Sequence, residues 1–403
     1  MIRFLTAGES HGKALASIVE GFPSNIPLKK DYFDFHLKRR QAGYGRGGRM
    51  KIENDTVEVL SGIRFGKTLG SPISLLIKNK DWENWEDILD LEKKSPSINK
   101  VSIPRPGHAD LTGTTKYNFD DIRNSIERSS ARETAARVAA GTVARRFLEE
   151  FGITVSSFVE SIGGVYSKLN YKNKLLNNLS SIGKDAAHLS GKADKSAVRV
   201  LDAEQEKKII NKIKLAKKKG DSLGGTFVVT ATGLPVGLGS FMQFDRRIDA
   251  DIASAIMSIN AVKGVEIGNG FESAESFGSQ VHDEIILKGE NFLRKTNRAG
   301  GVEGGITTGM PVIVTTAMKP IATLSKPLKT VDLKTMKNTT ARYERSDFVA
   351  VPACSVIAES MLAWVIAKHL LIKFGGDSLE ETKDNYKLYT KNSFKRIQKN
   401  FRK

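Results

Sequence analysis

The spacing of apolar residues along the chain predicts three long helices and several strands. Apolar side chains recur every three or four positions in each helical segment, and a glycine follows each segment within two residues. The helical segments are 120–151, 248–262 and 355–374. Runs rich in Val, Ile and Thr favour extended backbone, and they cover 71–78, 225–232 and 311–317. Because helices and strands alternate without a repeat, the pattern predicts a fold that mixes the two.

The chain has no Pro- or Ser-rich linker that would clearly divide it, and its length allows two or three domains or one large one. The lysine-rich region 165–220 is predicted to be a surface excursion, and residues 377–403 a loosely held basic tail. Glu359, Lys368 and His369 interrupt the longest apolar stretch, 351–372, which therefore predicts a buried helix rather than a membrane span. The first residues do not resemble an export signal, so we expect a cytoplasmic protein.

The composition narrows the class of protein and shows an excess of positive charge. The 403 residues include 63 Lys and Arg against 45 Asp and Glu, a net charge of +18, and 40% of them are apolar. That apolar fraction excludes a disordered chain. A single cysteine, Cys354, excludes an internal disulfide and fits a reducing compartment. The positive charge favours a polyanionic partner, which is either a nucleic acid or a small ligand.

Lysines and arginines are distributed differently. Lysines fill segments of low complexity that are typical of solvated faces. Arginines lie among glycines and serines at 39–49, and again at 123–146. The fork of a guanidinium suits phosphate and carboxylate, and small neighbours let an anion approach the backbone. We therefore predict that the arginines of these two segments are the functional part of the charge.

Two histidines lie on short segments of small or rigid residues. His11 stands between glycines at 8–12, and His108 follows two prolines at 104–110. Either histidine could exchange a proton near neutral pH, or His11 could be an ordinary turn residue. His108 with Asp110 could also be a pair of metal ligands, but no further ligands stand at the spacing that a metal site needs.

Four further patterns are considered for ligand binding or catalysis. Arg128 and Arg132 are four apart in the long helical pattern, so they would share a face that either binds an anion or is neutralised by nearby glutamates. Asp347 could cap a turn or orient a base. The segment 61–68 resembles a phosphate-binding loop, but it is one residue too short between its glycines and no helix can follow it. The glycine-rich segment 299–305 could bring backbone N–H groups close to a planar or anionic ligand.

The order and wording of these motifs resemble the chorismate synthase family. The stretches that carry the resemblance run in the family's order through residues 1–374. They are GESHGKALASIVEGFP (8–23), RRQAGYGRGGRMKIE (39–53), SGIRFGKTLGSPI (61–73), RPGHADLTGTTKY (105–117), ERSSARETAARVAAG (127–141), RRIDADIASAIMSINAVKGVEIGNGF (246–271), AGGVEGGITTGMP (299–311) and ARYERSD (341–347). After Pro23, Ser24-Asn25 replaces the glycine that is common in the family, and asparagine tolerates the same left-handed turn.

The resemblance implies a carbon–oxygen lyase of the shikimate pathway that eliminates phosphate from 5-enolpyruvylshikimate 3-phosphate by a 1,4-anti route. It also implies a requirement for reduced FMN, although the reaction has no net redox change. By the family pattern, His11 would protonate the leaving phosphate and His108 would serve the N1 region of the flavin. The C–H proton would pass to flavin N5, with Asp347 assisting together with Ser10 and Ser129 or Ser130.

The same resemblance implies two sets of binding residues. The flavin set is Arg128, Ser129, Ser130, Asn260, Ala261, Gly304, Lys319, Pro320, Ile321, Ala322, Thr323 and Arg345. The substrate set is Arg40, Arg46, Arg49, Arg105 and Arg132. In members that reduce their own flavin, Arg40 and Arg46 are associated with NADPH.

The fold that the resemblance implies is α+β, a single large domain over residues 1–376 built as a β-α-β sandwich that assembles into a homotetramer. The resemblance also implies that the protein binds a small polyanion and binds no nucleic acid, membrane or metal. The alternative function, a basic nucleic-acid-binding protein, is disfavoured because the arginines flank histidine loops rather than forming a stripe with aromatic residues. A metal-dependent phosphohydrolase that uses His108 and Asp110 is the other alternative.

Overall fold

The computed structural model describes residues 2–47, 54–92, 99–177, 188–342 and 347–401. Its helices are α1 (Lys30–Gln41), α2 (Asp110–Tyr117), α3 (Ile122–Ser129), α4 (Thr134–Glu149), α5 (Tyr171–Asn177), α6 (Leu189–Ala193), α7 (Ala203–Lys219), α8 (Ile248–Met257), α9 (Gly270–Ala274), α10 (Gly278–Val281), α11 (Val351–Phe374) and α12 (Leu379–Phe401). Its strands are β1 (Arg3–Ala7), β2 (Ala14–Glu20), β3 (Ser24–Pro27), β4 (Glu58–Val59), β5 (Ile63–Arg64), β6 (Lys67–Leu69), β7 (Ile73–Lys78), β8 (Thr154–Ile162), β9 (Val165–Tyr166), β10 (Gly225–Thr232), β11 (Val236–Gly239), β12 (Val262–Ile267), β13 (Ile285–Lys288), β14 (Asn291–Arg294), β15 (Val302–Glu303), β16 (Ile306–Thr308), β17 (Val312–Met318), β18 (Lys329–Asp332) and β19 (Lys337–Thr340). Short 3-10 helices cover Lys80–Asn84, Ala131–Glu133 and Phe244–Arg246.

Two antiparallel sheets form the outer layers. The first has the strand order β1-β2-β7-β4, and the second has the order β12-β17-β10-β8-β9. In β2 and β7, the two central strands of the first sheet, every second side chain is buried, including Leu15, Val19 and Leu75. In the second sheet, successive residues of β10 are buried on both faces. The first sheet therefore has one covered face and the second has two.

Helices α4 and α11 fill the space between the sheets: α4 packs against β2 and β7, and α11 packs against β8 and β10. They also pack on each other at Gly141, where an added Cβ would lie 2.5 Å from the Cβ of Ser360. Glycine is needed there because the helices approach so closely. The layers confirm the predicted α+β fold with helices between two sheets. Among the described residues, α11 is also the one helix long and apolar enough to cross a membrane, and 83% of its most apolar window is buried inside the protein.

The long helix expected over 120–151 is wrong in one respect, because it is broken at Ser130. Helix α3 ends at Ser129, and Ser130 is extended, with φ −64° and ψ 141°. Its hydroxyl accepts a hydrogen bond from the Arg132 N–H, so it caps the short 3-10 helix that precedes α4. Arg128 and Arg132 consequently lie on different elements rather than on one helical face.

The described parts of the region 165–220, residues 165–177 and 188–220, are more integrated than a surface excursion. Leu175, Leu176 and Leu189 pack with Val228 of β10 in a second core on the outer face of the second sheet. Helix α7 also joins the main core through Ile209 and its neighbours. The apolar positions inside this lysine-rich stretch therefore cover the sheet.

The C-terminal residues form helix α12 rather than a loose tail. Tyr386 and Tyr389 make edge-on contacts with Phe374 at the end of α11, with ring centroids 5.2 and 5.6 Å apart. Leu379, at the start of α12, is buried in the main core. Aromatic contact and burial thus anchor the first half of this lysine-rich segment.

Two local predictions from turn chemistry are confirmed. Residues 63–69 form a β-hairpin whose turn residues, Phe65 and Gly66, have φ of 50° and 72°. A two-residue turn with both φ values positive is a hairpin turn, not a phosphate-binding loop. Asn25 has φ 68°, the left-handed conformation expected for an asparagine in a glycine position.

Candidate active site

A cavity of about 770 Å³ collects most of the predicted functional residues. The loop after β1, the end of α1, the break between α3 and α4, the segment after β17 and the first turns of α11 contribute to its wall. The predicted residues that line it are Ser10, His11, Arg40, Arg46, Arg105, His108, Ser129, Ser130, Arg132, Asn260, Ala261, Lys319, Pro320, Ile321, Ala322, Thr323 and Asp347. The break at Ser130 matters here because it brings the α3–α4 junction into the cavity wall.

His11 is fixed by a buried carboxylate. Its Nδ1 lies 3.0 Å from both carboxylate oxygens of Glu127, and its backbone N–H donates to the same group at 2.8 Å. Burial alone would raise the pKa of Glu127, but the bonds and charge of His11, together with Arg123, hold that pKa below its ordinary value. Glu127 is therefore an ionised acceptor and Nδ1 carries a proton. Nε2 is the ring nitrogen through which His11 would act on a ligand.

His108 has the same kind of support. Its Nδ1 lies 2.6 Å from Oδ1 of Asp110, a fully buried carboxylate. The backbone N–H and Nε of Arg105 donate to Oδ2 of Asp110, both at 2.9 Å, and Arg105 Nη1 donates to Thr323. Burial alone would raise the pKa of Asp110, but these hydrogen bonds and the Arg105 charge hold it well below its usual range. Asp110 thus orients His108 and Arg105 together.

Arg40 and Arg132 share a third buried carboxylate. Arg132 donates to Asp55 at 2.6 Å and to the Asn79 side chain at 2.9 Å. Arg40 donates to the other oxygen of Asp55 at 3.3 Å and to Thr134 at 3.0 Å. Burial lowers the pKa of Arg40 to about 10, with Asp55 acting in the opposite direction, so Arg40 stays charged at neutral pH. Both arginines are held in fixed orientations before any ligand arrives.

Asp347 connects the arginine loop to the segment before α11. It accepts a hydrogen bond from the backbone N–H of Gly47 at 2.5 Å and pairs with Arg46 at 3.1 Å. All three residues, Arg46, Gly47 and Asp347, lie in the cavity wall. Arg49 and Arg345, predicted in the same neighbourhood, lie outside the described residues.

Two predicted flavin residues are not part of the cavity wall. The Arg128 guanidinium donates to the backbone oxygens of Thr6 at 2.8 Å and Gly8 at 3.3 Å, and so ties α3 to β1. Gly304 lies with Gly305 in the turn between β15 and β16, with φ 56° and 80°. A two-residue hairpin turn of this kind requires positive φ at both positions, so the turn explains the glycine at 304 without a ligand.

The charges are arranged in layers. Among the residues that the structure describes, six cations line the cavity: Arg40, Arg46, Arg105, Arg123, Arg132 and Lys319. Asp55, Asp110 and Glu127 lie behind the lining, with their side chains at most 3% exposed. Asp81 and Asp347 also line the cavity, so cations outnumber carboxylates in the lining that a ligand meets. The three buried carboxylates hold four of these cations in place: Arg40, Arg105, Arg123 and Arg132.

The cavity also has an apolar wall and an unsatisfied acceptor. Ile126, Ile259, Met318 and Ile357 line it, with Cys354 beside them, whose pKa burial raises to about 12. That thiol is neutral and contributes to the apolar surface. Oδ1 of Asn260 is buried and accepts no hydrogen bond from the described residues, while its Nδ2 donates to the Ser129 carbonyl at 2.9 Å. A planar ligand with a donor edge fits such a wall, so the residues present suit a flavin ring.

Sequence reasoning missed the residues that support the site. Glu127 was considered only as a partner for helix arginines, and Asp55 and Asn79 were not considered. No local signal marks the contacts of His11 with Glu127 and of Arg132 with Asn79 and Asp55, because each joins residues 50 or more positions apart in sequence. The contact of Asp55 with Arg40 spans only 15 positions. Trp85, whose ring stacks on His11, was missed as well. Within the described ranges, no three His, Cys, Asp or Glu side chains are grouped to hold a metal ion.

Two histidines on buried carboxylates, facing a cavity lined with arginine, define an enzyme site for a small anionic ligand. A family model described as chorismate synthase matches residues 2–371. The chain is 54% identical over 391 residues to the chorismate synthase of Aquifex aeolicus (strain VF5), covering 96% of this chain and 97% of that relative. It is 53% identical to the chorismate synthase of Chlorobaculum tepidum (strain ATCC 49652 / DSM 12025 / NBRC 103806 / TLS), with 96% and 98% covered. A crystal structure of chorismate synthase superimposes with a TM-score of 0.79 at 45% identity, covering 98% of each chain.

The chain therefore belongs to the chorismate synthase family. Its class is that of a lyase in aromatic biosynthesis, as the family resemblance implied. The nucleic-acid-binding alternative is not favoured by these matches.

Proposed function

We propose that the cavity converts 5-enolpyruvylshikimate 3-phosphate to chorismate by 1,4-anti elimination of phosphate. One C–H bond and one C–O bond break, a new double bond forms, and inorganic phosphate leaves with no net change in oxidation state. The observation that carries the proposal is the meeting of two carboxylate-backed histidines and six cations in one cavity. A substrate with two carboxylates and a phosphate needs several fixed cations, and preorganised donors of this kind stabilise a departing anion.

His11 is the proposed acid for the leaving phosphate. Its proton on Nδ1 is held by Glu127, so a second proton on Nε2 can be delivered to a phosphate oxygen. Ser10 and Ser130, whose hydroxyls are 2.9 Å apart, lie in the same part of the wall. Arg40 and Arg132 would hold the anionic substrate, and their shared contact with Asp55 keeps them in place.

His108 and the segment 319–323 are the proposed flavin side of the cavity. We propose that Asn260, Ala261 and residues 319–323 hold FMN, and that His108 donates toward its N1 region. When bound, reduced FMN supplies the basic, electron-rich group that C–H cleavage requires. Asp347, held by Arg46 and Gly47, would orient groups between the two histidines. The roles of Arg49, Arg105, Arg128, Gly304 and Arg345 remain predictions of the resemblance.

Several wider features belong to the same proposal. We propose a cytoplasmic enzyme with one catalytic domain over 1–376, without a nucleic-acid or membrane partner. Exposed apolar side chains support assembly into a homotetramer: Phe241, Met242 and Phe244 are 63%, 76% and 77% exposed. An exposed apolar group of this size is typical of an interaction surface. Light scattering after gel filtration would measure the mass of the assembly.

An anaerobic assay tests the activity. The substrate is mixed with the protein and chemically reduced FMN, and chorismate and phosphate are measured together, with the Aquifex aeolicus relative as the positive control. Equal amounts of both products, and none without flavin, are expected. Failure to form chorismate while the control is active would refute the proposal. A parallel reaction with oxidised FMN and NADPH shows whether the enzyme reduces its own flavin.

A further inference from the structure

Trp85 lies directly against the proposed acid. Its ring stacks on the His11 imidazole with centroids 3.9 Å apart and an interplanar angle of 22°. We propose that Trp85 is a positioning residue, which fixes the plane of the His11 ring so that Nε2 faces the leaving phosphate. The inference rests on the proposed role of His11 and deepens it.

The stack closes a ring of contacts around His11. Trp85 stacks on the imidazole, and the Arg123 guanidinium lies 5.0 Å from the centroid of the indole. Arg123 is also 3.6 Å from Glu127, which holds Nδ1 of His11. Glu127 therefore fixes one edge of the imidazole and Trp85 fixes one face. The edge contact and the face contact together fix the orientation of the imidazole ring. With Glu127 alone, the ring could still rotate about its hydrogen bonds.

Trp85 also holds its own segment in place. Between residues 80 and 92 no side chain is buried, so this segment contributes nothing to the core. Its start is anchored at the buried Asn79, whose side chain donates to the Gly12 carbonyl at 2.6 Å. Beyond that anchor, the indole N–H donates to Asp81 at 3.1 Å and the ring rests on His11. The position of the segment and that of His11 are therefore coupled through Trp85.

The chemistry of the contact suits a histidine that gains and loses a proton. An aromatic face attracts a cation, so the stack accommodates the imidazolium as well as the neutral ring. The charged groups around His11 and Trp85 are Glu127, Arg123 and Asp81. Because the indole is neutral, it orients the imidazole without adding to these charges.

The fluorescence of Trp85 tests the stack without flavin or substrate. The chain has three tryptophans, and Trp82→Phe leaves Trp85 with Trp364, which packs in the core against Phe4 and Phe22. A protonated imidazole quenches an indole in contact with it, so emission of W82F should fall as the pH is lowered. The same titration should be absent in W82F/H11Q. An identical pH response in both proteins would overturn the proposal.

Two kinetic variants separate positioning from folding. We expect Trp85→Leu to lower kcat about tenfold and to change the pH dependence of kcat, since a stacked aromatic pair is worth up to roughly that factor. Trp85→Phe keeps an aromatic face and should restore most of the activity. Trp82→Phe, outside the cavity wall, should behave like the parent. Equal activity in W85L and the parent, or equal loss in W85L and W85F, would contradict the positioning role.

These outcomes can be told apart from failure of the proposed function. If quenching by His11 is seen but His11→Gln keeps full activity, His11 is not the acid and the positioning proposal falls with it. If His11→Gln is inactive and quenching is absent, the acid stands and the role of Trp85 is refuted.

Discussion

Arg39 and Arg40 are neighbours in helix α1, yet they belong to two different charge clusters. Arg39 joins what we call the core cluster, in which Glu359 and Asp194 meet Arg39, Arg145 and Arg199. Arg40 joins the cavity cluster, which consists of Asp55, Arg40 and Arg132. The core cluster is absent from the cavity wall, whereas both arginines of the cavity cluster line it.

The difference lies in what surrounds the carboxylate. Glu359 is fully buried and accepts hydrogen bonds from Arg39 at 2.7 and 3.0 Å, from Ser157 at 2.6 Å and from Ser190 at 2.7 Å. Burial alone would raise the pKa of Glu359, but the charges of Arg39 and Arg145 hold it well below its usual range. In the core cluster the arginines surround one carboxylate. In the cavity cluster one carboxylate lies behind two arginines that face a ligand site.

The comparison corrects the prediction that the arginines of 39–49 and 123–146 are functional as a group. Arg39 and Arg145 stabilise the core, and Arg137 and Arg146 pair with nearby glutamates on α4 or beside it. The sequence pattern identifies guanidinium groups near glycine and serine. It does not reveal which of them meet a buried carboxylate from a distant element.

The largest expected effect is on the core cluster. Glu359→Gln would leave three buried arginines without their common carboxylate, and breaking a buried ion pair costs about 3–5 kcal/mol. We expect the free energy of unfolding, measured by urea denaturation, to fall by about that amount. Activity per folded molecule should change little. Glu149→Gln, at a partly exposed pair on α4, is the matched control, and an equal loss in both variants would contradict the assignment.

A change in the cavity should lower turnover strongly and change the free energy of unfolding little. His11→Gln keeps a donor for Glu127 but removes the group that exchanges a proton, so we expect turnover to fall at least about 100-fold, the usual contribution of a general acid. The free energy of unfolding should stay within about 1 kcal/mol of the parent, as for most changes away from the core. Steady-state kinetics under anaerobic conditions and urea denaturation measure the two quantities. Parent-like turnover would remove His11 from the mechanism.

The fold was more predictable than the site because helix and strand periodicity is a local signal. The strand over 225–232 and the core helix ending at Phe374 follow directly from apolar spacing. The break at Ser130 could not be predicted this way, since the apolar period continues across it. The Ser130 hydroxyl caps the next turn through the nearby Arg132 N–H, but its contact with Ser10 joins it to an element more than 100 residues away.

A smaller effect is expected from Asp110, the carboxylate behind His108, on the pH dependence of the free energy of unfolding. The pKa of Asp110 is lower in the folded state than in the unfolded chain, so its stabilising contribution is complete above about pH 5 and is lost as the pH falls through the folded value. In Asp110→Asn that contribution is absent. We expect the free energy of unfolding to depend less steeply on pH in D110N below pH 5, by up to about 1.4 kcal/mol per pH unit. Parallel pH curves for D110N and the parent would contradict this role.

The smallest effect is expected at a surface arginine. Arg146 pairs with Glu149 and Glu150 on a partly exposed face of α4. Exposed pairs contribute about 0–1 kcal/mol, so Arg146→Gln should change the free energy of unfolding by less than that and leave turnover unchanged. A large loss of activity in R146Q would show that proximity to other arginines, rather than contact with the cavity, decides function.

The neighbouring arginines of α1 provide the most direct test of the distinction between the two clusters. The measurement is kcat/KM for chorismate formation with reduced FMN, normalised to the folded fraction, in Arg39→Met and Arg40→Met. Both arginines are buried, so both variants should lose stability. We expect R40M to lose at least about 100-fold in kcat/KM, as removal of a preorganised donor does, and R39M to remain within a few-fold of the parent. Equal losses in the two variants, or parent-like activity in R40M, would contradict the account.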